Sequence, residues 1–204
     1  MSGTRPHDPL EDDRARPLAI VALAASAGGP NALATVLANL HDIDAGILIV
    51  QHINPQFVDN FVEWMSRASA LPVRVATDGS QIQRGVVHVG PAGTHLKLGF
   101  GMRIQLDPEP EVMHRPSADE LFSSLAKSAP ERSVGALLTG MGEDGARGLL
   151  ELRRRGGMTI VQDEQSSAVY GMPRAAARLD AAEAILPLDQ IAPAIMRAVR
   201  SRRR

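Results

Sequence analysis

At 204 residues, with 44% hydrophobic and 22% charged side chains, the chain is long enough to bury a substantial core and too apolar to be disordered. A formal net charge of −1 leaves no global field to draw it to nucleic acid or to an anionic membrane. The absence of cysteine excludes a disulfide framework, a thiol nucleophile and Cys-ligated zinc, and it fits a reducing cytoplasm.

No run approaches the roughly 20 consecutive apolar residues needed to cross a bilayer. Residues 1–17 carry Pro6, Pro9, Pro17 and the mixed-charge stretch Glu11-Asp12-Asp13-Arg14, without the apolar core of a signal peptide. They read as a mobile tail, and residues 18–204 as a single domain. From Leu18 to Ala24 the sequence is continuously apolar, as expected of a strand buried on both faces. The turn Ala25-Ser26-Ala27-Gly28-Gly29-Pro30 leads into a helix with Leu33, Val36, Leu37 and Leu40 on one side. A second buried strand, Gly46 to Val50, runs into Gln51-His52, and the following helix is expected to bury Phe57, Phe61 and Trp64 together.

Between Arg84 and Met113, short strand-like runs (Val86 to Val89, His95 to Leu98, Arg103 to Leu106) are divided by Gly and Pro, which predicts an antiparallel insertion. Ser117 to Ala129 reads as a helix, with Pro116 before it and Asp119 and Glu120 in its first turn. Strand and helix then alternate: Val134 to Leu138, Ala146 to Arg155, Met158 to Gln162, a helix from Pro173, Ala184 to Leu186, and a helix from Leu188 to Arg200. The whole predicts an α/β fold, a doubly wound and mostly parallel sheet flanked by helices, with a short antiparallel β insertion. The basic end, with Arg197, Arg200, Arg202, Arg203 and Arg204, reads as a frayed helix terminus rather than an anion site.

Sites in open α/β sheets form beyond the carboxyl ends of strands. Three such ends deliver Ser26, His52 and the loop Gly140-Met141-Gly142-Glu143-Asp144-Gly145. A hydroxyl, a base and an orienting carboxylate are what nucleophilic acyl transfer needs, and a triad is defined by geometry rather than chain order. Each residue also has a plainer role open to it: Ser26 as a helix N-cap, His52 as a structural histidine, Asp144 as a turn or helix cap. Nucleotide binding at Ala25 to Pro30 is the rival chemistry, but neither glycine-rich phosphate-loop spacing is present. The only lysines, Lys97 and Lys127, are far from that loop in sequence. Metal hydrolysis has less support, because the six histidines are scattered and no H-E-x-x-H occurs.

Six ordered blocks then narrow the choice. They are Ala24-Ala25-Ser26-Ala27-Gly28-Gly29-Pro30, Gln51-His52, Gly90-Pro91-Ala92-Gly93-Thr94-His95, His114-Arg115-Pro116-Ser117-Ala118-Asp119, Leu138-Thr139-Gly140-Met141-Gly142-Glu143-Asp144-Gly145-Ala146 and Tyr170-Gly171-Met172-Pro173-Arg174. Through them the chain, from about Leu18 to Val199, resembles the catalytic domain of chemotaxis protein-glutamate methylesterases (CheB-type). The resemblance implies Ser26 as nucleophile, His52 as base and Asp144 as orienting acid. It also implies an oxyanion hole that includes the backbone at Met141, with the start of the helix at Ala27 and Gly28 lining the site and His114 nearby. The implied activity is hydrolysis of glutamate γ-methyl esters on the cytoplasmic helices of methyl-accepting chemoreceptors, with deamidation of receptor glutamines as a second reaction. No cofactor and no metal are implied, no nucleic acid or membrane insertion is expected, and the implied location is the cytoplasm.

Two departures stand out. The family commonly has threonine after the nucleophile, where this chain has Ala27. Family members also usually carry an N-terminal receiver domain, for which the segment before Leu18 is too short. These departures keep open a receptor-binding module without efficient turnover, and a small-molecule serine esterase with the same triad. Glu143, beside Asp144, is expected to face solvent.

Overall fold

The computed structural model describes residues 17–202; the expected tail, apart from Pro17, lies outside the described residues, as do Arg203 and Arg204. The frame is a seven-stranded parallel sheet in the order β3-β4-β2-β1-β7-β8-β9. Its strands are β1 (Ala19–Ala25), β2 (Ala45–Gln51), β3 (Val73–Val75), β4 (Val87–Val89), β7 (Ser133–Leu137), β8 (Met158–Gln162) and β9 (Ala184–Leu186). A separate antiparallel hairpin pairs β5 (His95–Gly99) with β6 (Arg103–Asp107). Six α-helices complete the described chain: α1 (Gly29–Ala38), α2 (Val58–Ala68), α3 (Ala118–Ser128), α4 (Ala146–Arg154), α5 (Met172–Arg178) and α6 (Leu188–Ser201).

The continuous apolar strands follow from burial on both faces. Every residue of β1 and of β2 is buried. Side chains alternate, so Val21, Leu23 and Ala25 pack with α1, α2 and α6, while Ile20, Ala22 and Ala24 pack with α3, α4, α5 and the hairpin. At roughly 25 cal/mol per Å² of apolar surface, these two cores supply the main stabilisation of the sheet. Helices α3 and α4 cross very closely: a Cβ on Gly148 would lie 2.4 Å from the carbonyl oxygen of Asp119. Only glycine permits that approach, and it brings the start of α4 to the start of α3. No helix among the described residues is long and apolar enough to cross a membrane.

The doubly wound class is as expected, with three corrections. The run Val86 to Val89 is not part of the antiparallel insertion; β4 sits inside the parallel sheet, between β2 and β3. All three of its residues are buried, so it reads as a short interior strand once its neighbours are known. Strand β3 was not anticipated, because an edge strand of three residues with an exposed arginine at its centre carries no periodic signal. Phe57 is 49% exposed rather than core. It closes a 3-10 turn (Pro55–Phe57) ahead of α2, so it does not share the helical phase that buries Phe61.

Candidate active site

The strand order places a topological switch between β1 and β7. From β1 the chain builds outward through β2, then returns to β7 on the other side and builds outward again. Crevices beyond the carboxyl ends of strands form at such points. Ser26 follows β1, His52 follows β2, and the loop ending in Asp144 follows β7. The register pairs Ala25 with Gln51, so Ser26 and His52 are the next opposed pair, and His52 N–H still reaches Ala25 O at 3.0 Å. Continuing the alternation of Ile20, Ala22 and Ala24 on β1, and of Leu48 and Val50 on β2, directs both side chains to the face that carries α3.

On that face, Asp144 Oδ2 lies 2.8 Å from His52 Nε2. The same carboxylate takes the N–H of Ala118 (2.7 Å) and of Asp119 (3.0 Å), and the hydroxyl of Ser117 (2.7 Å). Asp144 therefore sits on the open N-terminus of α3, where unpaired N–H groups and the helix dipole favour an anion. Burial alone would raise its pKa, but the hydrogen bonds from His52, Ala118, Asp119 and Ser117 prevail and hold it at about 2. An ionised carboxylate only accepts, so Nε2 of His52 carries the proton and Nδ1 is the free lone pair of the neutral ring. Nδ1 is buried and has no protein partner, so the Ser26 hydroxyl makes no hydrogen bond to it here.

His114 stacks on His52, with ring centroids 4.1 Å apart and planes 15° from parallel. Burial, and secondly the neighbouring His52, lower its pKa, with Asp144 opposing. The stack restricts rotation of the His52 ring. Beside it opens a cleft of about 460 Å³ lined by Val112, Met113, His114, Ser117, Asp144 and Arg147. A second cleft lies beyond the Met141–Glu143 segment, bordered by Val169, Tyr170 and Arg174.

The Ser26 loop is braced from the β7 side. Ser26 N–H donates to Thr139 O (3.0 Å), and the Thr139 hydroxyl donates to Ala27 O (2.9 Å). Thr139 N–H is held in turn by Gln162 Oε1 at 2.8 Å. Gly28 takes the left-handed conformation (φ 76°) and caps α1, so Ser26 is not the N-cap. Asp144 does not cap its own following helix either; Gly145 does, while Asp144 serves α3. No backbone carbonyl engages the N–H of Ala27, Gly28 or Met141 among the described residues. The Met141 side chain is 75% exposed, so its place in the site is a matter of backbone. Glu143 faces solvent and pairs loosely with Arg147 at 3.7 Å.

Gly140 lies against Ser26: a Cβ there would come within 2.8 Å of Ser26 Cβ and 2.2 Å of Met172 Sδ. Gly140→Ala is expected to push the two loops apart, costing about 1–3 kcal/mol of stability and slowing any reaction at Ser26. Urea unfolding and the rate of Ser26 labelling by a fluorophosphonate would measure the two effects. All seven expected residues thus gather around one rim: Ser26, Ala27, Gly28, His52, His114, Met141 and Asp144. Sequence reasoning missed Ser117 and Thr139 as site residues. The Ser-x-x-Glu pattern from Ser117 to Glu120 marked a helix start, and that start is what receives Asp144.

The CheB methylesterase family model matches residues 21–195. A protein-glutamate methylesterase/protein-glutamine glutaminase of Bordetella avium (strain 197N) is 49% identical over 177 residues, covering 86% of this chain and 52% of that protein. A second, from Cupriavidus metallidurans, is 45% identical over 198 residues, covering 95% of this chain and 58% of its own length. The chain thus spans about half the length of the curated relatives it matches. The crystal structure of the Thermotoga maritima CheB methylesterase catalytic domain superposes with a TM-score of 0.85 at 29% identity, covering 89% of this chain and 98% of that one. With a matching sheet, a matching sequence over most of its length and a serine, histidine and aspartate gathered at the switch point, the chain belongs to the CheB methylesterase family.

Proposed function

We propose that residues 18–204 act as a serine hydrolase on glutamate γ-methyl esters of chemoreceptor cytoplasmic helices, in the cytoplasm, releasing methanol. The observation that carries this reading is the His52–Asp144 bond, made at 2.8 Å on a carboxylate held ionised by the start of α3, with the other ring nitrogen unpaired and Ser26 on the neighbouring strand end. His52 Nδ1 takes the Ser26 proton as Oγ attacks the ester carbonyl. The resulting imidazolium is stabilised by Asp144, which stays ionised throughout. Negative charge on the carbonyl oxygen is met by the unengaged N–H groups of Met141 and of the α1 start, where the helix dipole adds to them. The imidazolium then protonates the departing methoxide. A water deprotonated by His52 finally releases the glutamate and restores Ser26.

The relatives' names join methylesterase to glutaminase, and the same acyl-enzyme chemistry on a glutamine side chain expels ammonia. The rim suits a protein substrate: Val112, Met113 and Met141 are large apolar residues left exposed at the cleft edges. Ala27 is exposed and offers no hydroxyl, so the oxyanion is left to backbone donors at that position.

The test is methanol release from a methylated receptor cytoplasmic fragment, with ammonia release from its glutamine form measured alongside. Steady turnover by wild type supports the reading. Binding to the fragment without turnover would replace it with the receptor-binding module, and turnover of small esters alone with the small-molecule esterase.

A further inference from the structure

The side chain of Gln51 has a role that the sheet does not require. All seven residues of β2 are buried, and six of them are apolar or glycine. Gln51, at the carboxyl end, is 4% exposed, and it is the strand's one polar side chain. Its amino group donates to Ser26 O and to His52 O, each at 2.9 Å. Both hydrogens of one buried nitrogen thus go to the main-chain carbonyls of the two residues that must exchange a proton. The opposite amide orientation would set Oε1 against two carbonyl oxygens, so the direction is fixed.

The other half of the amide is a cost. Oε1 is buried and has no donor. It lies against the start of α1, where a Cβ on Gly29 would come within 2.1 Å of it. An unpaired buried acceptor is expensive, and methionine would fill nearly the same volume without it. The strand therefore carries a penalty in order to hold those two carbonyls.

They need holding because sheet pairing ends there. The last backbone bond between the two strand ends is His52 N–H to Ala25 O, after which each chain turns away into its own loop. Neighbouring strands run about 4.8 Å apart, whereas proton transfer needs heavy atoms near 3 Å, so a small splay at the tips is costly to the reaction. On the β7 side, Thr139 fixes the Ser26 and Ala27 backbone. On the β2 side, the Gln51 amide is the side-chain link that joins nucleophile and base directly.

We infer that Gln51 is a positioning residue that fixes the separation of Ser26 and His52 by bridging their two carbonyls. This rests on the serine-hydrolase reading above. Gln51 is buried beneath the rim, so its loss acts on the chemical step and not on substrate binding.

The experiment compares wild type, Gln51→Met and Gln51→Asn in the full chain. It measures the fluorophosphonate labelling rate at Ser26, kcat and KM for methanol release, and the urea midpoint. Both variants are expected to fold, with labelling and kcat reduced about 10- to 100-fold together and KM within about twofold of wild type. Asparagine keeps the donors but sets them one methylene short, so it should not restore the rate. Wild-type labelling by Gln51→Met overturns the inference, and so does a rise in KM at constant kcat. If wild type is labelled at Ser26 but releases no methanol, the substrate reading fails while the labelling ratios still judge Gln51. An unlabelled wild type overturns both.

Discussion

Ser26→Ala is expected to lower kcat/KM for methanol release by about 10⁴-fold or more, with the urea midpoint close to that of wild type. Ser26 is partly exposed in its turn, and its bonds to Thr139 and Gly29 are made by its backbone, so alanine keeps them. His52→Ala should cost a comparable factor, because hydroxyl and base act as one unit. The double variant should be no worse than the poorer single variant, as expected when either loss stops the same step. Two fully additive losses, measured as initial methanol-release rates, would show that serine and histidine act in separate processes.

Asp144→Asn carries the second large effect, and it has two parts. Without the carboxylate, the protonated Nε2 of His52 loses its anionic acceptor and the tautomer with a free Nδ1 is no longer enforced, so kcat should fall about 10³- to 10⁴-fold. The same change leaves the N–H groups of Ala118 and Asp119 and the Ser117 hydroxyl competing for one amide oxygen in a buried place. Asp144 is thus a helix-terminus ligand as well as the proposed orienting acid, and its variant should unfold at lower urea. Because its pKa is depressed in the folded protein to about 2, its contribution is complete above the ordinary carboxylate value near 4. That contribution, about 2 kcal/mol, is lost as pH falls from about 4 through 2. Urea titrations across that window should show wild type losing more stability than Asp144→Asn. Equal losses would mean that the α3 terminus does not hold the carboxylate ionised.

Much of the fold was legible because burial on both faces leaves a plain mark. Leu18 to Ala24 and Gly46 to Val50 could hardly be anything but interior parallel strands, and β1 and β2 occupy them. β3 was not legible, and β4 was legible as a strand but not in its place: strands of three residues have no period, and only their partners decide which sheet they join. Phe57 misled because a 3-10 turn joined to a helix shifts the phase that i, i+4 spacing assumes. In the site, strand-end placement nominated Ser26, His52 and Asp144, but each had a plain capping or structural role available. The structure removes two of these, since Gly28 caps α1 and Gly145 caps α4. What sequence could not give is the service of Asp144 to a helix 26 residues upstream of it at Ala118. The double bridge made by Gln51 was hidden for the same reason, since contacts between strand tips follow register and not spacing.

The most direct measurement is the site of fluorophosphonate attachment in the wild-type chain, mapped by mass spectrometry after proteolysis. A single adduct on Ser26, formed at a rate that His52→Ala reduces at least a hundredfold, is the expected result. An unmodified Ser26, an adduct on another serine, or labelling that ignores the loss of His52 would contradict it.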